Sequence, residues 1–147
     1  TMAMIAAEAM EMDLSEVEVV WGDTDRCPYS VGESGSRTTG FTGYAILEAA
    51  KQLKQKLDKQ GLPKGDDMLI AQVTTEPKLE GVARHGFAAH FVEVEVDIEL
   101  GGVKVLKYVA MQDSGRIVNP LTATSQVRGG IIMGIGMALH EELLYDQ

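Results

Sequence analysis

The sequence predicts a mixed α/β fold of the α+β kind, in which helices pack on a mixed sheet that contains a β-hairpin. Three observations support this fold class. Segments with helical spacing alternate with short β-branched segments, one stretch alternates strictly between apolar and acidic residues, and glycine-rich polar loops separate these segments. The 147 residues, 45% of them hydrophobic, are enough for one domain with a core.

The first part of the chain reads as helix, strand, loop and helix. Residues Met2–Met10 are mostly strong helix formers, and Val17–Trp21 is a short, β-branched segment typical of a strand. Over Gly43–Lys59, aliphatic residues share one helix face, opposite lysines and glutamines. Gly61 is expected to end this helix, because glycine favours the residue just past a helix.

The second part begins with a predicted strand at Met68–Thr74 and continues into a predicted β-hairpin. Residues Phe91–Leu100 alternate between aliphatic and acidic side chains, as a strand with one solvated face requires. Gly101 and Gly102 predict a two-residue turn, and Val103–Met111 is the returning strand. A cation site on the acidic face is the alternative interpretation, but a solvated face explains the same pattern.

The last predicted element is a helix that opens at Asn119 as an N-cap, followed by a proline at the first helical position. Both this helix and the hairpin present long apolar faces. We therefore expect them to pack together and to bury Val94, Val96 and Ile98.

Two polar loops punctuated by glycine, at residues 32–40 and 113–120, carry the strongest functional signal. Hydroxyl groups, backbone N–H groups at a helix start and a guanidinium all donate to anionic oxygens, while glycine lets the backbone come close. The first loop is the best cluster of such donors in the chain. In the second loop, Asp113, Arg116 and Asn119 are interpreted as turn and cap residues without a ligand.

Charge and composition argue against several classes of protein. A net charge of −9 disfavours nucleic acid as a partner. The apolar run Ile131–Leu139 has nine residues, against the roughly 20 that span a bilayer, so we expect no membrane partner and a cytoplasmic location. Cys27 is interpreted as a reduced structural thiol, and His85, His90 and His140 lack zinc-type spacing, so no metal held by protein side chains is expected.

The glycine-rich last helix carries a resemblance to a known family. Residues 126–130 read Gln-Val-Arg-Gly-Gly, and residues 131–146 read Ile-Ile-Met-Gly-Ile-Gly-Met-Ala-Leu-His-Glu-Glu-Leu-Leu-Tyr-Asp. With Gly-Ser-Arg-Thr-Thr at 35–39, Gly-Tyr-Ala at 43–45 and the hairpin between, the chain resembles the molybdopterin-binding large subunit of the molybdenum hydroxylases, the xanthine dehydrogenase and aldehyde oxidase family. The resemblance implies a partial molybdopterin-binding domain with two halves, residues 1–61 and 66–147.

The resemblance also implies which residues contact the cofactor. In the family, the first loop contacts the molybdopterin and its nucleotide or phosphate tail, and the glutamine of the Gln-x-x-Gly segment hydrogen-bonds the pterin. The expected cofactor-binding residues are Gly35, Ser36, Arg37, Thr38, Thr39 and Gln126. Without the resemblance, the first loop has a plainer interpretation. Arg37 pairs with Glu33 or Asp23, and the Ser and Thr residues cap the following helix.

The activity implied is hydroxylation of an aldehyde or N-heterocycle carbon with oxygen from water. The cofactor is molybdopterin, in its plain or its cytosine dinucleotide form, and iron–sulfur clusters and FAD are expected on other chains or domains. The family's Gly-x-Gly-Glu segment, which carries the catalytic base, does not occur in these residues, and Glu141 and Glu142 are not expected to replace it. We therefore expect no catalytic residue here and no activity in the isolated chain.

The partners implied are the remaining large-subunit segments, iron–sulfur and flavin subunits or domains, and a small-molecule substrate. A part of a large subunit is also expected to expose surface that is interior in the whole, which predicts a homodimer. Two other classes of function stay open at this stage. One is a non-catalytic pterin-binding or assembly module. The other is an unrelated α+β domain whose polar loop binds an anion or nothing.

Overall fold

The structure is a computed structural model that describes residues 1–30, 32–74, 76–78, 80–81 and 85–146. It divides into two compact units, Thr1–Gly81 and Val82–Gln147. Over the described residues the elements are three α-helices, short helical turns and a two-stranded antiparallel sheet, which confirms the mixed α/β class. No helix in these ranges combines the length and the apolar character needed to cross a membrane.

The first unit is built on two α-helices, α1 at Met2–Met10 and α2 at Gly43–Gln60. Both were predicted, α2 to within one residue. Helix α1 ends at Glu11, which adopts the left-handed conformation at φ 57°, and α2 ends at Gly61 with φ 72°. Short helical turns lie at Leu14–Glu16, Ser34–Ser36 and Thr38–Thr42, and the last of these runs directly into α2. The buried apolar residues of this unit are small, namely Ala7 and Ala50.

The two strands predicted outside the hairpin are wrong. Val17–Trp21 and Met68–Thr74 have no regular secondary structure. A strand completes its backbone hydrogen bonds only on a neighbouring strand, and the described part of the first unit contains none. These β-branched segments therefore have no strand to pair with in the described part of the unit.

The second unit consists of β1 at Phe87–Val96, β2 at Val103–Asp113 and α3 at Pro120–Leu139. The strands pair antiparallel from Phe87 opposite Asp113 to Val96 opposite Val103, which confirms the predicted hairpin. The register shifts after Glu93, where the paired residues change from Glu93–Lys107 to Val94–Val105. This bulge leaves Leu106 as the extra residue on β2. Helix α3 begins as predicted, since the Asn119 side chain accepts from the backbone N–H of Thr122 at 3.3 Å.

The turn of the hairpin differs from its prediction. It begins at Asp97, whose Oδ1 accepts hydrogen bonds from the backbone N–H groups of Glu99 at 3.0 Å and Leu100 at 2.9 Å. The Asp97 N–H donates to the Gly102 carbonyl at 2.8 Å and closes the loop. Residues 98–101 therefore form a four-residue loop in place of the two-residue turn, because the aspartate side chain offers the backbone a local alternative to the strand.

The predicted burial of the hairpin's aliphatic face is wrong at its turn end. Val94, Val96 and Ile98 are 49%, 53% and 91% exposed. Helix α3 lies beside the other end of β2, where the two elements flank a cleft, so it does not cover these side chains.

Lysines lie opposite the acidic residues of β1. Glu93 is opposite Lys107, and Glu95 is opposite Lys104. Opposite charges that face each other across a strand pair favour the pairing of the strands. Glu93 and Glu95 therefore face lysines within the hairpin, while Asp97 and Glu99 follow β1 in the loop. Over the described residues, no group of three or more His, Cys, Asp or Glu side chains is placed to hold a metal ion.

Candidate cofactor-binding site

The first polar loop has an unusual backbone at its centre. Gly35 and Ser36 are both left-handed, with φ of 71° and 59°, and Arg37 returns to the right-handed helical region. A serine in the left-handed region is uncommon and is a form of local strain that clusters at functional sites. A left-handed residue followed by a right-handed one turns successive N–H groups into one concavity, the arrangement known as an anion-binding nest.

The hydroxyl groups around this turn make no hydrogen bond within the described part of the chain. Ser36, Thr38 and Thr39 are exposed, and within the residues that the structure describes none of their hydroxyls takes part in a hydrogen bond. The alternative that they cap the following helix is wrong, because the helical turns at Ser34–Ser36 and Thr38–Thr42 and the start of α2 all lack a side-chain cap hydrogen bond. Three hydroxyl donors are therefore available to a ligand.

Arg37 is held at this turn by two contacts. Its guanidinium carbon lies 4.7 Å from the centre of the Phe41 ring, a cation–π contact. Its Nη2 atom lies 3.7 Å from Oε1 of Glu76, which is an ion pair but too long for a hydrogen bond. Arg37 thus pairs with Glu76 rather than with Glu33 or Asp23. The sequence offered no signal for Glu76 as its partner, whereas the spacing of Arg37 and Phe41 in a helical turn could have suggested their contact.

Gln126 lies on α3, in the second unit, and lines a cleft of about 940 Å³ between this helix and β2. The helix contributes Ala123, Val127 and Ile131 to this cleft at four-residue spacing, which places them on one face. Gln126 and Arg128 supply polar groups beside this apolar stripe. A cleft of this volume, mostly apolar with a few polar groups, is typical of small-molecule sites.

Tyr108 enters the same cleft from β2. Its hydroxyl lies 3.1 Å from Nδ1 of His90 on the paired strand, and the two rings meet edge to face with centres 5.7 Å apart. His90 is therefore held in a hydrogen bond and a ring contact with Tyr108. Sequence reasoning did not select Tyr108 or Arg128 as site residues. Nothing in the local sequence distinguishes Tyr108, whereas Arg128 lies in the Gln-Val-Arg-Gly-Gly segment, which was a signal that could have found it.

The glycines that follow Gln126 leave free space beside α3. A methyl group built at Gly129, Gly130 or Gly134 would meet no atom within 4 Å. Nothing in the described structure of this unit therefore requires glycine there, although each costs helix stability of about 0.8–1 kcal/mol relative to alanine. The first loop and Gln126 belong to different units, and their convergence on one ligand stays a prediction.

Comparison with known proteins identifies the class to which this fold and these loops belong. The family profile described as the molybdopterin cofactor-binding domain matches residues 1–73 and 70–147, which together cover the whole chain. The chain therefore belongs to the molybdopterin cofactor-binding domain family.

Among its curated relatives, the gamma subunit of the 6-hydroxypseudooxynicotine dehydrogenase complex of Paenarthrobacter nicotinovorans is 28% identical over 99% of this chain. The carbon monoxide dehydrogenase large chain of Afipia carboxidovorans is 26% identical over 100% of it. The xanthine dehydrogenase molybdenum-binding subunit of Escherichia coli O157:H7 is 29% identical over 98% of it.

The chain spans only a part of these relatives, 23% of the length of the first two and 24% of the third. The names of the relatives describe dehydrogenase subunits or chains, and the third is a molybdenum-binding subunit, so the chain is part of an enzyme family. The resemblance inferred from the sequence is confirmed.

Proposed function

We propose that this chain is part of the molybdenum-cofactor-binding subunit of a xanthine dehydrogenase/aldehyde oxidase-type oxidoreductase, which hydroxylates an aldehyde or N-heterocycle carbon with oxygen from water. The observation that supports it most is the first loop. Around one strained turn it gathers a guanidinium and exposed hydroxyls that make no hydrogen bond among the described residues, within a domain of the molybdopterin-binding family.

The residues of the first loop fit a ligand that carries phosphate. Ser36, Thr38 and Thr39 each have a hydroxyl to donate, and Arg37 adds a full positive charge with planar donors. Gly35 has no side chain to block the approach of the ligand to the backbone. When bound, the molybdenum cofactor supplies the oxidation chemistry, while these residues hold and orient it.

Gln126 is proposed to hydrogen-bond the pterin. Its amide has both donors and an acceptor, which suits the alternating donors and acceptors of a pterin ring. The free space at the glycines that follow it would allow such a ring to come close to the helix backbone.

The finer properties of the enzyme are proposed on the basis of its relatives. The cofactor is molybdopterin, in its plain or its cytosine dinucleotide form, and iron–sulfur clusters and FAD lie on other chains or domains. The relatives' names describe subunits or chains of larger assemblies, which supports partners of this kind. A homodimer and a cytoplasmic location are further proposals.

We also propose that the catalytic base lies outside these 147 residues. A cradle for the cofactor positions the reacting groups but does not move their protons. Glu141 and Glu142 follow the end of α3 and do not line the cleft that contains Gln126. The isolated chain should therefore show no hydroxylase activity when supplied with cofactor. Turnover of an aldehyde or purine above about 1 per second, within the usual range of enzymes, would contradict this.

The proposed function is tested by the cofactor content of the full protein. Arg37→Ala should reduce the molybdenum and pterin content, since a lost charged hydrogen bond costs about 1.5–3 kcal/mol, or about 10- to 150-fold in affinity. Thr38→Val and Thr39→Val keep the side-chain shape but remove the hydroxyls, and each should have a smaller effect. Arg26→Ala is the matched control, because it makes the same charge change on an exposed turn of the same unit.

Each outcome of this test has a clear meaning. Unchanged cofactor content in Arg37→Ala and in both valine variants would show that the loop is structural. Normal cofactor content without hydroxylation of any aldehyde or N-heterocycle, in the protein that contains this chain, would favour a non-catalytic pterin-binding module.

A further inference from the structure

We infer that Phe41 positions the Arg37 guanidinium for an anionic ligand, and that Glu76 is the exchangeable counter-ion that this ligand displaces. The inference deepens the proposed function of the first loop and rests on it. Phe41 acts through Arg37 and is a positioning residue, because nothing in its side chain can bind an anion.

The backbone brings the Phe41 ring to Arg37. The two residues are four apart, and the Phe41 N–H donates to the Arg37 carbonyl at 2.7 Å across the helical turn at Thr38–Thr42. This turn has π-helical geometry, which is rare and occurs frequently at functional sites. It sets the ring 4.7 Å from the guanidinium carbon, well inside the range of about 6 Å in which a cation is attracted to an aromatic face.

The contact leaves the guanidinium able to bind. A guanidinium has more N–H donors than one aromatic contact can occupy, so donors remain for an anion. Arg37 retains only 30% of its side-chain exposure. Because its rotamers are already restricted in the free protein, it loses less conformational entropy when it binds phosphate.

Glu76 has the properties of a counter-ion that is easily exchanged. Its carboxylate lies 3.7 Å from the arginine nitrogen, beyond hydrogen-bonding distance, and its own side chain is 76% exposed. Exposed ion pairs of this kind contribute little. A phosphate that forms two parallel charge-assisted hydrogen bonds with the guanidinium would replace the carboxylate, and the negative charge left nearby would oppose the ligand.

The two residues therefore act in opposite directions on anion affinity. The test measures the dissociation constant of inorganic pyrophosphate for the full, cofactor-free protein by calorimetry. Phe41→Leu should weaken binding by about two- to fivefold, the range of an exposed cation–π contact. Phe41→Tyr keeps an aromatic face and should bind as the unaltered protein does. Glu76→Gln removes the charge at constant shape and should tighten binding by up to about fivefold.

Each substitution is also made in an Arg37→Ala background, where Phe41→Leu should not change the dissociation constant and Glu76→Gln should change it less than it does beside Arg37. This double-mutant cycle separates an effect through Arg37 from a general effect on the fold. Equal weakening by Phe41→Leu in both backgrounds would overturn the role of Phe41, and unchanged or weaker binding in Glu76→Gln would overturn that of Glu76. In both cases the proposed function would stand.

The proposed function fails in a different way. If pyrophosphate does not bind to the unaltered protein, or binds equally well to Arg37→Ala, the loop is not an anion site. The cofactor content of Phe41→Leu and Phe41→Tyr, measured as bound pterin and molybdenum in the purified protein, gives a second readout. The cofactor content should fall in Phe41→Leu and be retained in Phe41→Tyr.

Discussion

A methyl group placed on Gly43 would lie 2.9 Å from Cδ1 of Ile5. Helices α1 and α2 therefore meet at the first residue of α2, where glycine has no side chain. Real Cβ atoms do not approach other atoms this closely, and Ile5 would have to move. Gly43 is buried and follows directly on the turn that contains Phe41. Contact between α1 and α2 thus fixes the start of the helix that follows the candidate anion site.

Gly43→Ala is expected to destabilise the first unit by up to about 2 kcal/mol. Overpacking costs about 1–3 kcal/mol, and the better helix propensity of alanine offsets about 1 kcal/mol of it. In an Ile5→Val background, which removes the crowded methyl group, the same change should become stabilising. Unfolding in denaturant measures the effect of Gly43→Ala on the free energy of unfolding in each background. An effect of the same sign in the unaltered protein and in Ile5→Val would contradict the contact.

Gln126→Ala should reduce cofactor content less than Arg37→Ala does. It removes a neutral hydrogen bond worth on the order of 1 kcal/mol, whereas Arg37 contributes a charged one worth about 1.5–3 kcal/mol. Ser125→Ala, an exposed neighbour on the same helix, serves as the control and should have no effect. Molybdenum analysis of the purified full protein gives the order of the two effects, and the reverse order would reject this prediction.

Asp97→Ala should loosen the hairpin by about 1 kcal/mol. The substitution removes the acceptor of two backbone hydrogen bonds, from Glu99 and Leu100, that shape the loop. Asp97→Asn keeps an oxygen at the same position and should behave nearly as the unaltered protein does. Hydrogen exchange of the amides of β1 and β2 reports the opening free energy. Equal protection in the alanine variant would show that the strands alone set the turn.

The pKa of the Glu11 carboxyl is lowered, first by the hydrogen bond from the Lys54 ammonium and then by its charge. An acid whose pKa is lower in the folded state stabilises that state at pH values above its ordinary pKa. This contribution is lost as the pH falls through the lowered, folded-state pKa. Lys54→Met should return the Glu11 pKa towards its ordinary value and remove this part of the pH dependence of stability.

A carbon-detected NMR titration of the Glu11 carboxyl group would measure this change. Lys51→Met, on the same helix, is the matched control and should leave the Glu11 titration as it is. High salt should reduce the difference between Lys54→Met and the unaltered protein, because the pair is exposed and screened. A Glu11 titration that is identical with and without the Lys54 charge would show that the ion pair does not form in solution.

The helices could be predicted from the sequence because their hydrogen bonds are local. The start of α3 follows from Asn119 and the proline after it, and the end of α2 follows from Gly61. The hairpin was predictable for a similar reason, since its strands are neighbours in sequence. Its turn was not, because a side-chain acceptor at Asp97 took precedence over the glycine pair.

The sequence alone determined the family, the three helices, the hairpin and the cluster of anion donors at residues 35–39, since each depends on residue types at close spacing. Only the tertiary structure decided that Val17–Trp21 is not a strand, that Val94 is exposed, and that Arg37 contacts both Phe41 and Glu76. These features depend on which distant segments meet. A single sequence carries little information about such contacts, because the local sequence around one residue does not specify which distant residue it will meet.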